Sequence, residues 1–326
     1  MRLLVLGAAD VRRLLTFADC ADAMRGALAA TARGEAHQPL RMVVRPEGAA
    51  GIMGLMPAYQ APSGYGLKAI CVFPGNPAAG LDQHQGIVLL SSAVTGEPLA
   101  VLNASAVTEF RTAAVSAVAT ELLARPDATE LAVIGTGVQG RAHLLAIAAA
   151  RRLTAIRVAG RDHDRARRLA EEMSGQVTPP VTACGSVADA VAGAGIVVTA
   201  TTAAEPVLRR QWLASGTHVN AVGSCLPTTR ELDTETMATA ALFADSRQSA
   251  ASESGDYLLA LAEGAIGPGA IRAEIGEVLA GTAPGRLADD EITVFDSLGL
   301  AIEDLAAAAL AYSRAREAGA GSWVDF

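Results

Sequence analysis

Residues 131–140 read LAVIGTGVQG. A run of four apolar residues, Leu131 to Ile134, passes into Gly135-Thr136-Gly137-Val138-Gln139-Gly140, and a helix-forming stretch over 138–151 follows directly. This is the GxGxxG spacing in the context that gives it meaning, after a strand and at the head of a helix. The first glycine permits the tight turn, the second admits a close backbone approach by a diphosphate, and the third lets helix pack on strand. The first N–H groups of the helix lack partners inside it and carry the positive end of its dipole. The stretch therefore predicts a dinucleotide site contacted by Gly135, Thr136 and Gly137.

Downstream, AIRVAG reads as the second strand of the same unit and ends at Gly160-Arg161-Asp162, with Arg165 one turn on. Users of the unphosphorylated cofactor place an acidic side chain at this tip, against the ribose hydroxyls. Here a glycine leaves room and Arg161 offers a partner to a 2′-phosphate, so NADP(H) is favoured and NAD(H) stays possible. Asp162 suits two jobs, ribose ligand or N-cap of the helix over 162–173.

Further on, GIVVTAT, HVNAVGS and ALFAD continue an alternation of short apolar strands with helices, the mark of parallel βαβ units. Upstream the texture differs. After a helix over 17–33 capped by Thr16, the runs RMVVR, GIMGLMPAY, GLKAICVF, GIVLLSSAV and PLAVLN are separated by Gly, Pro and Asn, as in a mostly antiparallel sheet. One long helix over 106–124 leads out of it, and Pro126 follows its end. A last alanine-rich helix over 298–318 comes after the strand-like ITVFDS. The fold class predicted is α/β: a Rossmann dinucleotide-binding domain plus an α+β substrate and dimerisation domain.

The chain of 326 residues is long enough for two domains, and no repeat of solenoid period interrupts it. Its formal charge of -8 argues against nucleic acid, whose affinity rests on Lys and Arg meeting phosphates. Cys20, Cys71, Cys184 and Cys225 are scattered, without ligand spacing, so neither a disulfide framework nor a metal site is expected. The opening MRLLVLG is too short an apolar run for a leader, and nothing approaches the roughly 18 apolar residues of a membrane span. A cytoplasmic location is expected.

Three cations sit among small or apolar neighbours: Arg41 in PLRMVV, Lys68 in GYGLKAICVFPGN and Arg111 in VTEFRTAA. A guanidinium fork matches a carboxylate, and a lysine pKa falls on burial. Together they would suit an anionic substrate bearing C=O or C=N. Singly, each would pass for a snorkelling surface residue.

At these positions, and in TGEPLAVLNASAVTEFRTAAVSAVA, LAVIGTGVQGRAHL, NAVGS and RELD, the chain resembles the ornithine cyclodeaminase/mu-crystallin family, in order from about residue 10 to 310. The resemblance implies a homodimer with a substrate-binding and dimerisation domain over 1–112 and 299–326 and a Rossmann domain over 113–298. It implies that Arg41 and Arg111 clamp the substrate carboxylate and that Lys68 is the acid/base. Thr112, Val138 and Gln139 would lie along the cofactor phosphates. Thr201, the stretch Ala221 to Ser224 with Val222 and Gly223, and Ser297 would lie nearer the nicotinamide. The loop with Gln83 and His84 would also approach the cofactor.

Departures from the family pattern choose among its chemistries. Relatives that cyclise ornithine place an essential Asp where this chain has Cys225, and GIMGLMP (51–57) holds no carboxylate to replace it. A thiol, with an ordinary pKa of about 8.5 and weak hydrogen bonds, is a poor substitute; as a free cysteine it is equally an inert packing residue. Glu109, just ahead of Phe110-Arg111, stands where relatives carry a small residue. The expected function is NAD(P)H-dependent reduction of C=N in small imino acids, or amino-acid dehydrogenation in reverse, as in ketimine or pyrroline-2-carboxylate reductases and alanine dehydrogenase. Ornithine or lysine cyclodeamination is the alternative, and non-catalytic NADPH-dependent ligand binding a second. Asp256 and Tyr257 are residual candidates, and His218, just before a buried strand, is expected to be a satisfied edge residue.

Overall fold

The computed structural model describes residues 2–325, which divide into two compact units: residues up to 111 together with those from 299 onward, and residues 112–298. The helix Ala104–Leu123 contains the boundary. It starts two residues before the stretch read from sequence because the Asn103 side chain accepts from the Ala106 N–H at 2.9 Å and caps it.

In the first unit a sheet runs in the order Ser322–Asp325, Arg2–Leu6, Pro98–Asn103, His84–Ser91, Gly64–Val72, Ile52–Gln60 and Ala36–His37, with Met42–Val44 also paired to Ile52–Gln60. Every pairing is antiparallel except that of Arg2–Leu6 with Pro98–Asn103. Both terminal strands, Arg2–Leu6 and Ser322–Asp325, escaped the sequence reading; neither RLLVL nor SWVD shows the alternation of a half-buried strand.

Side chains alternate across a strand, so parity decides what each can touch. In Gly64–Val72, the buried face carries Gly66, Lys68 and Ile70, and the same face takes Met56 and Val88 opposite Lys68. The helix Ala301–Ala318 packs there, beside Phe17–Ala32, which Thr16 caps through the Asp19 N–H. A Cβ on Gly66 would come within 3.0 Å of the Leu305 Cβ, so the glycine lets this helix lie close to the strand. The opposite face is apolar and open: Tyr65 is 52% exposed, Ile87 46% and Met53 41%, and Met42 on the neighbouring short strand reaches 62%.

The second unit is a parallel sheet in the order Val181–Ala183, Ala155–Ala159, Glu130–Ile134, Ile196–Thr199, His218–Ala221, Thr293–Asp296, Ala241–Ala244 and Ile271–Glu274. This is a Rossmann-type arrangement. The order reverses between Glu130–Ile134 and Ile196–Thr199, and ligands of such sheets bind beyond the carboxyl ends of the strands at that switch. Inner strands are buried on both faces, which explains their unbroken apolar runs. His218 is the first residue of one of these inner strands. Fully buried, it contacts Thr293 Oγ1 at 2.9 Å and Asn220 Oδ1 at 3.3 Å, and burial holds its pKa near about 3. It is a neutral structural group.

Among the described residues no helix is long and apolar enough to cross a membrane.

Candidate functional site

The glycine turn of the second unit is built as its spacing requires. Gly135 adopts φ +129°, and a Cβ there would lie 2.3 Å from the Ala200 carbonyl oxygen. A Cβ on Gly140 would lie 2.0 Å from the Gly135 oxygen. Gly137 differs: nothing would come within 4 Å of its Cβ, and it heads the helix Val138–Ala150 with no side-chain cap. First and third glycines are thus dictated by packing, while the second opens onto uncapped helix N–H groups. Val138, in the first turn, is exposed. Gln139 Oε1 is buried, and the Gln139 carbonyl contacts His143 Nδ1 at 2.7 Å.

Gly160 ends the strand Ala155–Ala159 against this turn, where a Cβ would sit 3.1 Å from Thr136 Cγ2. Arg161 and Arg165 follow it, both exposed. Asp162 caps the helix His163–Met173, one carboxylate oxygen accepting from the Asp164 and Arg165 N–H groups at 2.9 and 3.1 Å. Those bonds, the one from Arg165 first, hold its pKa below the usual range.

Among the hydroxyls of this unit, Thr112 Oγ1 and Ser297 Oγ are buried with no hydrogen-bond partner among the described residues. Buried polar atoms are ordinarily satisfied. Open helix N–H groups with orphaned hydroxyls fit a dinucleotide and its ribose or amide groups. Val222 is buried, its N–H donating to Thr199 O, and the Ser297 N–H donates to Ala221 O. Thr201 and Gly223 both donate their N–H groups to one carboxylate, that of Glu231.

The three cations belong to the first unit and are close together. Lys68 is 3% exposed and lies 3.1 and 3.2 Å from the two oxygens of Asp304, itself 1% exposed. Arg111 donates from Nε to Asp304 at 3.2 Å and from Nη1 to Glu303 at 2.8 Å. Arg41 donates to the Gly299 carbonyl at 3.2 Å. Gly299 has φ +82°, and a Cβ there would fall 2.3 Å from Arg111 Nη1, so only glycine lets the guanidinium lie against this turn.

Burial pulls the Lys68 pKa down to about 8, against the opposing charge of Asp304 and helped by Arg111 and Arg41. Loss of solvation, then the charge of Lys68, also lowers His84, whose carbonyl accepts from Ser105 Oγ at 2.6 Å. Lys68 and Arg111 thus share the Asp304 carboxylate, and the guanidinium groups of Arg111 and Arg41 are donors of the type that hold a carboxylate. A groove of about 630 Å³ lined by Tyr59, Tyr65, Leu67 and Leu89 lies on the other face of the sheet from Lys68.

Other candidates have structural employment. Glu109 pairs with Arg12 at 2.9 Å. The Gln83 carbonyl accepts from Phe73 N–H. Tyr257 donates to Pro268 O at 2.8 Å, and Asp256 accepts from the Glu231 and Leu232 N–H groups, both at 2.9 Å. Cys225 is half-buried against the core, its Sγ 3.5 Å from Val222 O.

The chain matches the model of the ornithine cyclodeaminase/mu-crystallin family over residues 1–319. It belongs to that family. Mouse ketimine reductase mu-crystallin is 40% identical over 280 residues, 86% of this chain and 85% of that protein. A solved structure of Thermococcus litoralis Delta(1)-pyrroline-2-carboxylate reductase, in complex with NADH and L-proline, is 36% identical with a TM-score of 0.95, covering 98% of this chain and 99% of that one. An archaeal alanine dehydrogenase dimer with bound NAD is 32% identical with a TM-score of 0.94, each chain covered in full at 100%.

Sequence reasoning missed Glu303, Asp304, Gly299 and Glu231. Two acids in the first turn of an alanine-rich helix were visible in IEDLAAAA, but acids there ordinarily complement the helix dipole.

Proposed function

We propose that the chain is an NAD(P)H-dependent oxidoreductase of small imino and amino acids, acting on C=N in one direction and CH–NH in the other. The observation that carries this reading is the buried Lys68, held by Asp304 with Arg111 on the same carboxylate, its pKa lowered by burial and by the charges of Arg111 and Arg41. The substrate α-carboxylate binds Arg41 and Arg111, whose forks suit it, and the burial of Arg111 strengthens the attraction. Lys68, with a pKa near about 8, holds a proton at neutral pH and delivers it to the imine nitrogen. When bound, the dinucleotide supplies or accepts a hydride at C4 of its nicotinamide. Thr112, Gly135, Thr136, Gly137, Val138 and Gln139 hold its diphosphate, and Thr201, Val222, Gly223 and Ser297 its nicotinamide end.

NADP(H) is the favoured cofactor. Arg161 and Arg165 are exposed beside a glycine, and Asp162 has its carboxylate committed to a helix cap. The 112–298 unit is accordingly the dinucleotide-binding domain and the other unit binds substrate.

The open apolar face of the first sheet supports a homodimer, since exposed patches of this kind mark interaction surfaces. Four cysteines scattered without framework spacing suit a reducing compartment such as the cytoplasm.

The test is a panel of cyclic and acyclic imino acids with NADPH and NADH, followed at 340 nm. Pyrroline- or piperideine-2-carboxylate should be reduced. Ornithine with NAD+ should release no ammonia, because Cys225 offers no carboxylate to the distal amine. Release of ammonia without net NADH would replace this reading by cyclodeamination, and silence across the panel would leave a binding protein.

A further inference from the structure

The RELD motif at 230–233 contributes no residue to the chemistry above, yet Glu231 is fully buried. Its two carboxylate oxygens go to different places. One accepts the Thr201 N–H at 2.6 Å, the other the Gly223 N–H at 2.7 Å. Thr201 follows the strand Ile196–Thr199 and Gly223 follows His218–Ala221, neighbours in the sheet next to the switch in strand order. These are the carboxyl ends beyond which a ligand of such a sheet rests.

The bridge is braced from behind. The Glu231 and Leu232 N–H groups both donate to Asp256 Oδ1 at 2.9 Å, and the Glu231 carbonyl accepts from Val207 and Leu208. The fit is close: a Cβ on Gly223 would lie 2.2 Å from Thr201 O and 2.7 Å from Glu231 Cδ. Burial raises the Glu231 pKa, and the Gly223 and Thr201 N–H groups that its oxygens accept from oppose that shift.

We infer that Glu231 is a positioning residue for the cofactor: by tying the loop at Thr201 to the loop at Gly223 it shapes the surface that receives the nicotinamide end. This rests on the dinucleotide reading given above. The glycine turn serves the diphosphate through other residues, so the two ends of the cofactor should depend on Glu231 unequally. In Glu231→Gln, similar in shape, one of the two N–H groups meets an amide N–H in place of an oxygen.

Calorimetric titration of the full-length chain with NADPH, and with 2′-phospho-ADP-ribose, which lacks the nicotinamide, separates the possibilities. Glu231→Gln should weaken NADPH about tenfold, the worth of one charged hydrogen bond, while the fragment binds within about twofold of wild type. Equal loss of both ligands, or loss of neither, overturns the inference. A wild-type chain that binds neither would instead overturn the dinucleotide reading beneath it. Should the variant not fold, hydrogen exchange on the unaltered chain decides: the Thr201 and Gly223 amides should exchange slowly without ligand, and fast exchange at both refutes the bridge.

Discussion

Lys68 and Asp304 meet as a buried pair, the ammonium 3.1 and 3.2 Å from the two oxygens of one carboxylate. They are 236 residues apart in the chain. Strand parity points Lys68 at the helix Ala301–Ala318, and the first turn of that helix presents Asp304. Breaking a pair of this kind leaves an uncompensated buried charge, which is expensive.

Removal of the ammonium should stop chemistry and spare the cofactor. Lys68→Ala is expected to lower kcat by about 10²- to 10⁴-fold, the range of a lost general acid. Fluorescence titration should find NADPH affinity within a few-fold of wild type. An unchanged kcat would remove Lys68 from the mechanism.

Imine reduction needs the protonated amine, and the Lys68 pKa is lowered to about 8. Its protonated fraction is nearly full at pH 7 and drops tenfold per unit well above 8. The reduction rate should fall as pH rises through that value, and oxidation of the amino acid should rise. Asp304 favours the charged form, so Asp304→Asn should move the alkaline limb to lower pH, by about 1–3 units. A kcat profile unmoved by that substitution would show that the carboxylate does not govern the lysine.

Gly299→Ala should displace Arg111, because the new methyl would sit 2.3 Å from Nη1 on a backbone at φ +82°. The substrate KM is expected to rise about tenfold or more, the cost of loosening one charged contact. NADPH binding measured separately should hold. Wild-type KM in this variant would argue that Arg111 does not touch substrate.

Arg161→Ala tests the choice of cofactor. The NADPH dissociation constant should increase about tenfold or more, as a charge-assisted contact is lost, with NADH little affected. Parallel loss of both would show that the residue does not read a 2′-phosphate.

Sedimentation should give twice 33.2 kDa. Tyr65→Glu and Ile87→Glu together place charge on the open face of the first sheet and should shift the species toward monomer. A wild-type chain that is monomeric at working concentration would dispose of the dimer.

Much of the fold was legible because its signals are local. LAVIGTGVQG announces a strand, a turn and a helix within ten residues, and the Thr16 and Asp162 caps lie beside the helices they start. The site was legible only as residue types. Arg41, Lys68 and Arg111 stood out by their apolar neighbours, but their carboxylate partners come from the far end of the chain. His218 shows the same limit: the apolar run after it was plain, whereas its place on an inner strand depends on which strands become its neighbours.

By itself the amino-acid order determined the glycine turn with its flanking strand and helix, the capped helices after Thr16 and Asp162, and the family, since each follows from backbone sterics and side-chain pattern within a short window. Only tertiary structure decided which charges face one another. Asp304 and Glu303 reach Lys68 and Arg111, and Glu231 reaches Thr201 and Gly223, because packing brings distant segments to within hydrogen-bond range. Burial then converts those contacts into a lowered lysine pKa, an effect that no window of sequence contains.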